Sequence, residues 1–274
     1  MGGDGFKMPE APVLAAGAFG GPFVMYLVTP CRNALTFAAQ DAKSSFSGVF
    51  RQVFARGLAG GWKGGMYPAI AACPQYLCLG PAYHMYASAV GPVGGIVLAG
   101  ITETAVLYGA ETKNAHLATN ARRPGRIPEA RVQSPFNPWG PGVMINLARN
   151  IFAMSGMRVI NEPIANAIAK ASGGSQSGLV TLASDLTANC CAAGITMPMH
   201  MLYQYVCTSG PELWDKPQGE QVTMMKTWLR EQYFPGGRLS PVIVRDLGLR
   251  AGYIATAYTI YMQIERAAVK YWPF

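Results

Sequence analysis

From Gly64 to Thr102 the chain carries not one Asp, Glu, Lys or Arg, and the same holds for Ala11–Cys31 and Leu186–Pro211. A helix needs about 20 apolar residues to cross the hydrocarbon core of a bilayer, and the first of these runs is long enough to cross it nearly twice. Such stretches constrain the solvent before they constrain the fold. A soluble chain of this size would carry about 25% charged residues. Here 13% are charged, 50% are hydrophobic and the mean hydropathy is +0.17. The pattern predicts an all-α, polytopic membrane protein.

Net charge is +8. Nucleic-acid binders also run basic, but here the basic residues are dispersed among loops, so nucleic acid is not expected as a partner. The cluster Arg122, Arg123 and Arg126, with Arg131 beyond it, sits in a Pro-rich connector. A basic loop beside anionic lipid accounts for it. Six cysteines lack CxxC spacing, and most lie in apolar segments, where they read as small core residues. The N-terminal residues Met1–Lys7 show neither a signal peptide nor an amphipathic presequence, and Phe6 stands where myristoylation needs Ser or Thr. Targeting is therefore expected from internal signals.

Apolar periodicity and breakers predict six spanning helices, over 12–40, 66–90, 94–118, 141–170, 178–207 and 241–268. Polar connectors follow the odd helices, and short links such as Gly91-Pro92-Val93-Gly94 follow the even ones. In the first connector Val49, Phe50, Val53 and Phe54 recur at helical spacing beside Arg51 and Arg56, which predicts a short amphipathic surface helix. Gln221–Glu231 in the third connector repeats that pattern, whereas the second, Arg122–Asn137, shows no such face. Punctuation also repeats. Pro30-Cys31-Arg32 is echoed by Gly109-Ala110-Glu111 and Pro198-Met199-His200, and Trp62-Lys63-Gly64 by Trp139-Gly140-Pro141-Gly142 and Phe234-Pro235-Gly236-Gly237. Three copies of one structural unit produce this spacing. They divide a single domain into repeats of approximately 11–90, 91–171 and 172–270.

Three repeats of odd helix, surface helix and even helix resemble the mitochondrial carrier family. The strongest match is in the first repeat: Pro30, then Gly57, four residues, and Trp62-Lys63-Gly64. Gly17 and Gly21 stand where the family places a Gly-x-x-x-Gly helix contact, and Asp185 and Asn189 replace that pair in the third repeat. The resemblance implies six transmembrane helices with matrix-side surface helices, in the mitochondrial inner membrane. It also implies a matrix gate of ion pairs. The acid positions of that gate hold Arg32, Glu111 and His200, and the base positions Leu35, Asn114 and Tyr203. Only Glu111 keeps the expected type. A single Arg32–Glu111 pair is possible, a cyclic ion-pair network is not, and no second gate is recognisable on the even helices.

A carrier needs two closed states of comparable free energy. Losing both networks predicts one locked state, held by apolar packing of Leu35 and Tyr203 and by the Arg32–Glu111 pair. The expected function is that of an accessory subunit of a respiratory-chain complex in which transport has been lost. The alternative is a carrier exchanging a small anionic metabolite, for which the resemblance implies contacts at Ala71, Arg149 and Arg245. Internal pairing of the two arginines with Asp185, Glu103 or Asp246 is the competing reading of those positions. Carriers hold cardiolipin at helix N-termini, and Phe46, Gly48, Trp62, Lys63 and Gly64 match that element. Trp62 and Lys63 also read simply as interfacial anchors. His84, His116 and His200 lie in different repeats with no nucleophile or metal-ligand set around them, so neither an enzyme nor a metal or other cofactor is expected beyond bound lipid.

Overall fold

The computed structural model describes residues 10–155, 161–171 and 178–271, and every element in them is helical. The N-terminal segment Met1–Lys7 and most of the Ser-Gly-rich loop after Ala171 lie outside the described residues. The first long segment is built from α1 (Ala11–Ala15), a π-helical turn (Ala16–Gly20), α2 (Gly21–Leu27) and α3 (Thr29–Gln40). It bends by 48° ahead of α3, where Pro30 cannot supply an amide to the preceding turn.

The first connector holds α4 (Phe46–Val53) and α5 (Leu58–Gly61). Helix α4 is the expected amphipathic helix: Val49 and Val53 are buried, and Ser45 caps its N-terminus by accepting the Gly48 amide at 3.1 Å.

Helix α6 (Met66–Arg122) contains the long uncharged run and doubles back within it. Gly91, at φ +81° and ψ +167°, occupies a backbone region essentially restricted to glycine. Two hydrogen bonds prove the reversal. Tyr86 and Thr102 hydroxyls meet at 3.1 Å, and Gln75 Nε2 donates to Glu103 Oε1 at 3.0 Å. In a straight helix, rising about 1.5 Å per residue, both pairs would be more than 20 Å apart. The expected break at Gly91–Gly94 is thus a one-residue turn between two helical arms.

The second connector has no surface helix, only a 3₁₀ turn at Glu129–Arg131. It is pinned to the second arm of α6 instead. Asn120 exchanges two hydrogen bonds with Ile127, both 2.8 Å, and His116 Nδ1 accepts the Gln133 amide at 3.0 Å. Gly109 makes room for this loop. A side chain there would lie 2.6–2.7 Å from the carbonyl oxygens of Ser134, Pro135 and Asn137, so the glycine serves close approach and not, as its alignment with Pro30 suggests, a kink.

Helices α7 (Val143–Ser155) and α8 (Asn161–Ala171) follow. Next come α9 (Gly178–Ser209), with Pro198 inside it, the short α10 (Pro211–Trp214), the surface helix α11 (Gln218–Tyr233) and α12 (Val242–Tyr271). Packing runs from α2 to α6, α7, α9 and α12, and α12 returns to the π-turn and α3, closing a ring.

Gly17 and Gly21 accept the backbone and ring of Tyr76 from α6; a side chain at Gly21 would sit 2.4 Å from that ring. Asp185, in the equivalent place on α9, is bonded to Arg266 at 2.6 Å. All three connectors meet at one end, tied by Arg122–Asp41 at 3.4 Å and Arg126–Glu212 at 2.6 Å, with an Arg131–Asp215 pair beside them. One described helical stretch, Ala82–Arg122, is long and apolar enough to cross a bilayer, and the bent pair Ala11–Leu27 and Thr29–Gln40 passes as one unit.

Candidate functional site: the polar axis of the helix ring

Three elements converge on the axis at the connector end: α3, the second arm of α6, and α9. Neutral side-chain hydrogen bonds join every pair of them. Between α3 and α6, Asn114 Nδ2 donates to Asn33 Oδ1 at 3.2 Å and Gln40 Nε2 donates to Thr119 Oγ1 at 2.9 Å. Between α3 and α9, Thr36 Oγ1 donates to Gln204 Oε1 at 2.9 Å. Between α6 and α9, the Thr112 and Tyr203 hydroxyls lie 2.8 Å apart. Asn33 and Asn114 also donate to the Lys63 carbonyl, at 3.2 and 2.9 Å, which draws the first connector into the same closure.

The three elements are therefore joined pairwise by a network that contains no ion pair and uses several positions beside the motif positions. Leu35 and Tyr203 are both fully buried, yet they belong to separate apolar clusters. Tyr203 contributes its hydroxyl to the ring and its face to Arg149, not a shared apolar plug with Leu35.

Adjacent to the ring is a charged centre. Glu111 receives Arg149 Nη2 at 3.0 Å and lies 3.5 Å from Arg32 Nη2, so the expected pair is a trio. Asn146 donates to the same carboxylate at 3.2 Å, and Arg149 Nε and Nη2 donate to Asn150 Oδ1, at 3.0 and 2.7 Å. His200 Nδ1 lies 3.1 Å from Arg149 Nη1, where the neutral ring accepts, and Arg32 donates to the Tyr253 hydroxyl. Each buried charge needs these partners, because desolvation costs several kcal/mol per ion.

Arg149 is thus paired with Glu111, a partner that the residue spacing did not single out. Arg245 is not in the axis. It pairs with Asp246 at 2.8 Å and donates to the carbonyls of Ala38, Asp41 and Ser44 at 2.7–3.0 Å, capping the C-terminus of α3. Ala71 is half-buried and does not border the central cavity. The Arg245–Asp246 pair is one of the internal pairings set against a substrate contact in the sequence, and neither Ala71 nor Arg245 lines this cavity.

The central cavity measures about 40 Å³ and is bordered by Gln75, Glu103, Arg149, Asn150, Arg250 and Tyr258. That is room for two waters or so. Gln75 Oε1, Glu103 Oε2 and Arg250 Nε are buried there without a protein partner. Arg250, Gln75 and Asn150 went unnoticed in the sequence because motif spacing was followed rather than every polar residue in an apolar helix.

At the connectors, Phe46 and Lys63 are exposed and Trp62 packs on Phe54, with ring centroids 6.1 Å apart. Gly48 does not offer a free amide, since Ser45 holds it. Gly64, at φ +77°, brings the connector against Asn114, so its first duty is to the ring. No protein-family model and no curated protein matches the chain.

Proposed function

We propose that this chain is a divergent, carrier-like protein of the mitochondrial inner membrane. On this reading six helices span the bilayer in three repeats, transport has been lost, and the chain serves as a structural subunit of a respiratory-chain complex. The observation that carries the reading is the fate of Arg149 and Arg245, the two cations a carrier would offer an anion. One is saturated by Glu111, Asn150 and His200, and the other caps α3. The cavity that Arg149 borders, of about 40 Å³, has room for a few waters and not for a metabolite. The ring of neutral bonds holds only the connector end, and the motif that would balance it at the other end is missing.

Exchange of a small anion is the second reading, and one observation favours it: Arg250 borders the cavity with Nε unpartnered. Reconstituted protein should show no saturable exchange of carboxylates, phosphate or nucleotides, and tagged chain should migrate at fixed stoichiometry with a large complex on native gels. Saturable exchange abolished by Arg250→Ala in a folded protein would decide for transport. Cardiolipin is proposed as a bound lipid at Phe46, Trp62 and Lys63, where Lys63→Gln should reduce its retention through purification.

A further inference from the structure

The connector end carries a second, larger hollow that the polar axis does not use. It measures about 260 Å³ and is lined by the ends of α3 and α9, the chain after α6, and α11. It therefore caps the hydrogen-bonded ring and touches all three repeats. Gln40, whose Nε2 closes the last bond of the ring, forms part of its floor, and Gln40 Oε1 is buried with no donor. One wall is an aromatic pair, Tyr205 and Trp228, stacked at 4.8 Å and 14°. Beyond that pair lies a further hollow of about 220 Å³.

The charges decide what fits. Arg126 lines the hollow but is neutralised by Glu212 at 2.6 Å. Arg123 and Glu231 line it as well, and among the described residues neither has an oppositely charged group within ion-pair distance. One open cation and one open anion in the same hollow disfavour a simple anion, which Glu231 repels, and a simple cation, which Arg123 repels. The volume admits roughly ten non-hydrogen atoms at liquid density.

From this geometry we infer that the hollow binds a small zwitterion, with its oxyanion on the Arg123 guanidinium and its ammonium between Glu231 and the Trp228–Tyr205 pair. A guanidinium pairs with an oxyanion through two parallel bonds, and an ammonium is attracted to an aromatic face. A free α-amino acid and the phosphoethanolamine head group of a lipid share this chemistry. Either one, by touching the ends of α3, α6 and α9 together, would hold the ring closed. The inference is independent of whether the chain transports anything.

The test is calorimetric titration of the full chain in phosphatidylcholine nanodiscs with glycine, L-leucine and phosphoethanolamine, against propionate, inorganic phosphate and ethylammonium. The zwitterions should bind saturably and about tenfold more tightly than the controls, which carry charge of one sign only. Arg123→Gln and Glu231→Gln should each weaken binding about five- to tenfold with unchanged helical circular dichroism, and the double exchange Arg123→Glu with Glu231→Arg should recover part of it. Tighter binding of the amino acids identifies a free metabolite. Tighter binding of phosphoethanolamine, with phosphatidylethanolamine retained by the native chain and lost from Arg123→Gln, identifies a lipid. Propionate or phosphate binding as tightly as the zwitterions, or no zwitterion binding up to on the order of 10 mM, overturns the proposal.

Discussion

Glu111 is the residue on which the buried charge balance turns. Among the described residues it is the one carboxylate within ion-pair reach of both Arg32 and Arg149, all three nearly or wholly shielded from solvent. Glu111→Gln keeps the shape and removes the charge, leaving two guanidiniums without a counterion. A loss of about 3–5 kcal/mol is expected, read as a large fall in thermal stability of the purified protein. Arg149→Met in the same background should recover part of that loss, because it removes one of the stranded cations.

Asp41, at the end of α3, is a second pivot. Burial pushes its carboxyl up, but bonds from Ser44, the Lys43 amide and Gln52, together with nearby Arg122, outweigh this and bring it down to about 2. The folded chain holds that proton less tightly than an unfolded one. Its stabilisation is therefore complete above about pH 4 and is lost as pH falls towards 2. Melting temperatures of the native chain and Asp41→Asn should converge over that interval and differ above it.

Among the elements, the ring joining α3, α6 and α9 has the clearest consequence. Ion pairs weaken in salt, whereas neutral bonds between hydroxyls and amides do not. The connector end should stay closed from low salt to 1 M, as reported by a disulfide or spin-label pair placed across α3 and α9. Thr36→Val and Tyr203→Phe each remove one link, at about 0.6–1.7 kcal/mol apiece. Together they should loosen the closure by more than either does alone.

These bonds also mark the boundary of what was legible. The helices, their order and both surface helices follow from periodicity and breakers, which report on each segment by itself. Glu111 and Arg32 were found because they occupy motif positions. Thr36, Thr112, Thr119 and Gln204 were not, because an isolated Thr or Gln in an apolar helix is indistinguishable from one bonded to its own backbone. Only packing chooses between the two. The same limit applies to Arg245: counting residues from a glycine says nothing of the packing that brings its guanidinium to the carbonyls at the end of α3.

At the scale of the whole molecule, charge is distributed by end. The three connectors carry twelve basic and six acidic residues, and so account for six of the eight net positive charges. On the six-span reading all three face the same compartment, the side the positive-inside rule favours. Lys43→Cys and Lys226→Cys should then be labelled by an impermeant reagent from one side of sealed vesicles, and Gly178→Cys from the other. Labelling of position 178 together with the connectors would remove the six-span arrangement while leaving the helical ring intact.

The turn at Gly91 has a consequence for how such a chain is made. Its two arms are joined by one glycine, with no charged residue on either side for many positions, so the turn offers an insertion machinery nothing by which to sense orientation. Neither arm can be threaded first and left to wait, because a partner follows it within a single residue. On the six-span reading the pair partitions into lipid together, as one folded wedge, oriented by the basic residues towards its two far ends, Lys63 before it and Lys113 and Arg122 after. Adding a Lys on each side of Gly91 would give the tip an address of its own, and in a fraction of molecules the wedge would enter upside down.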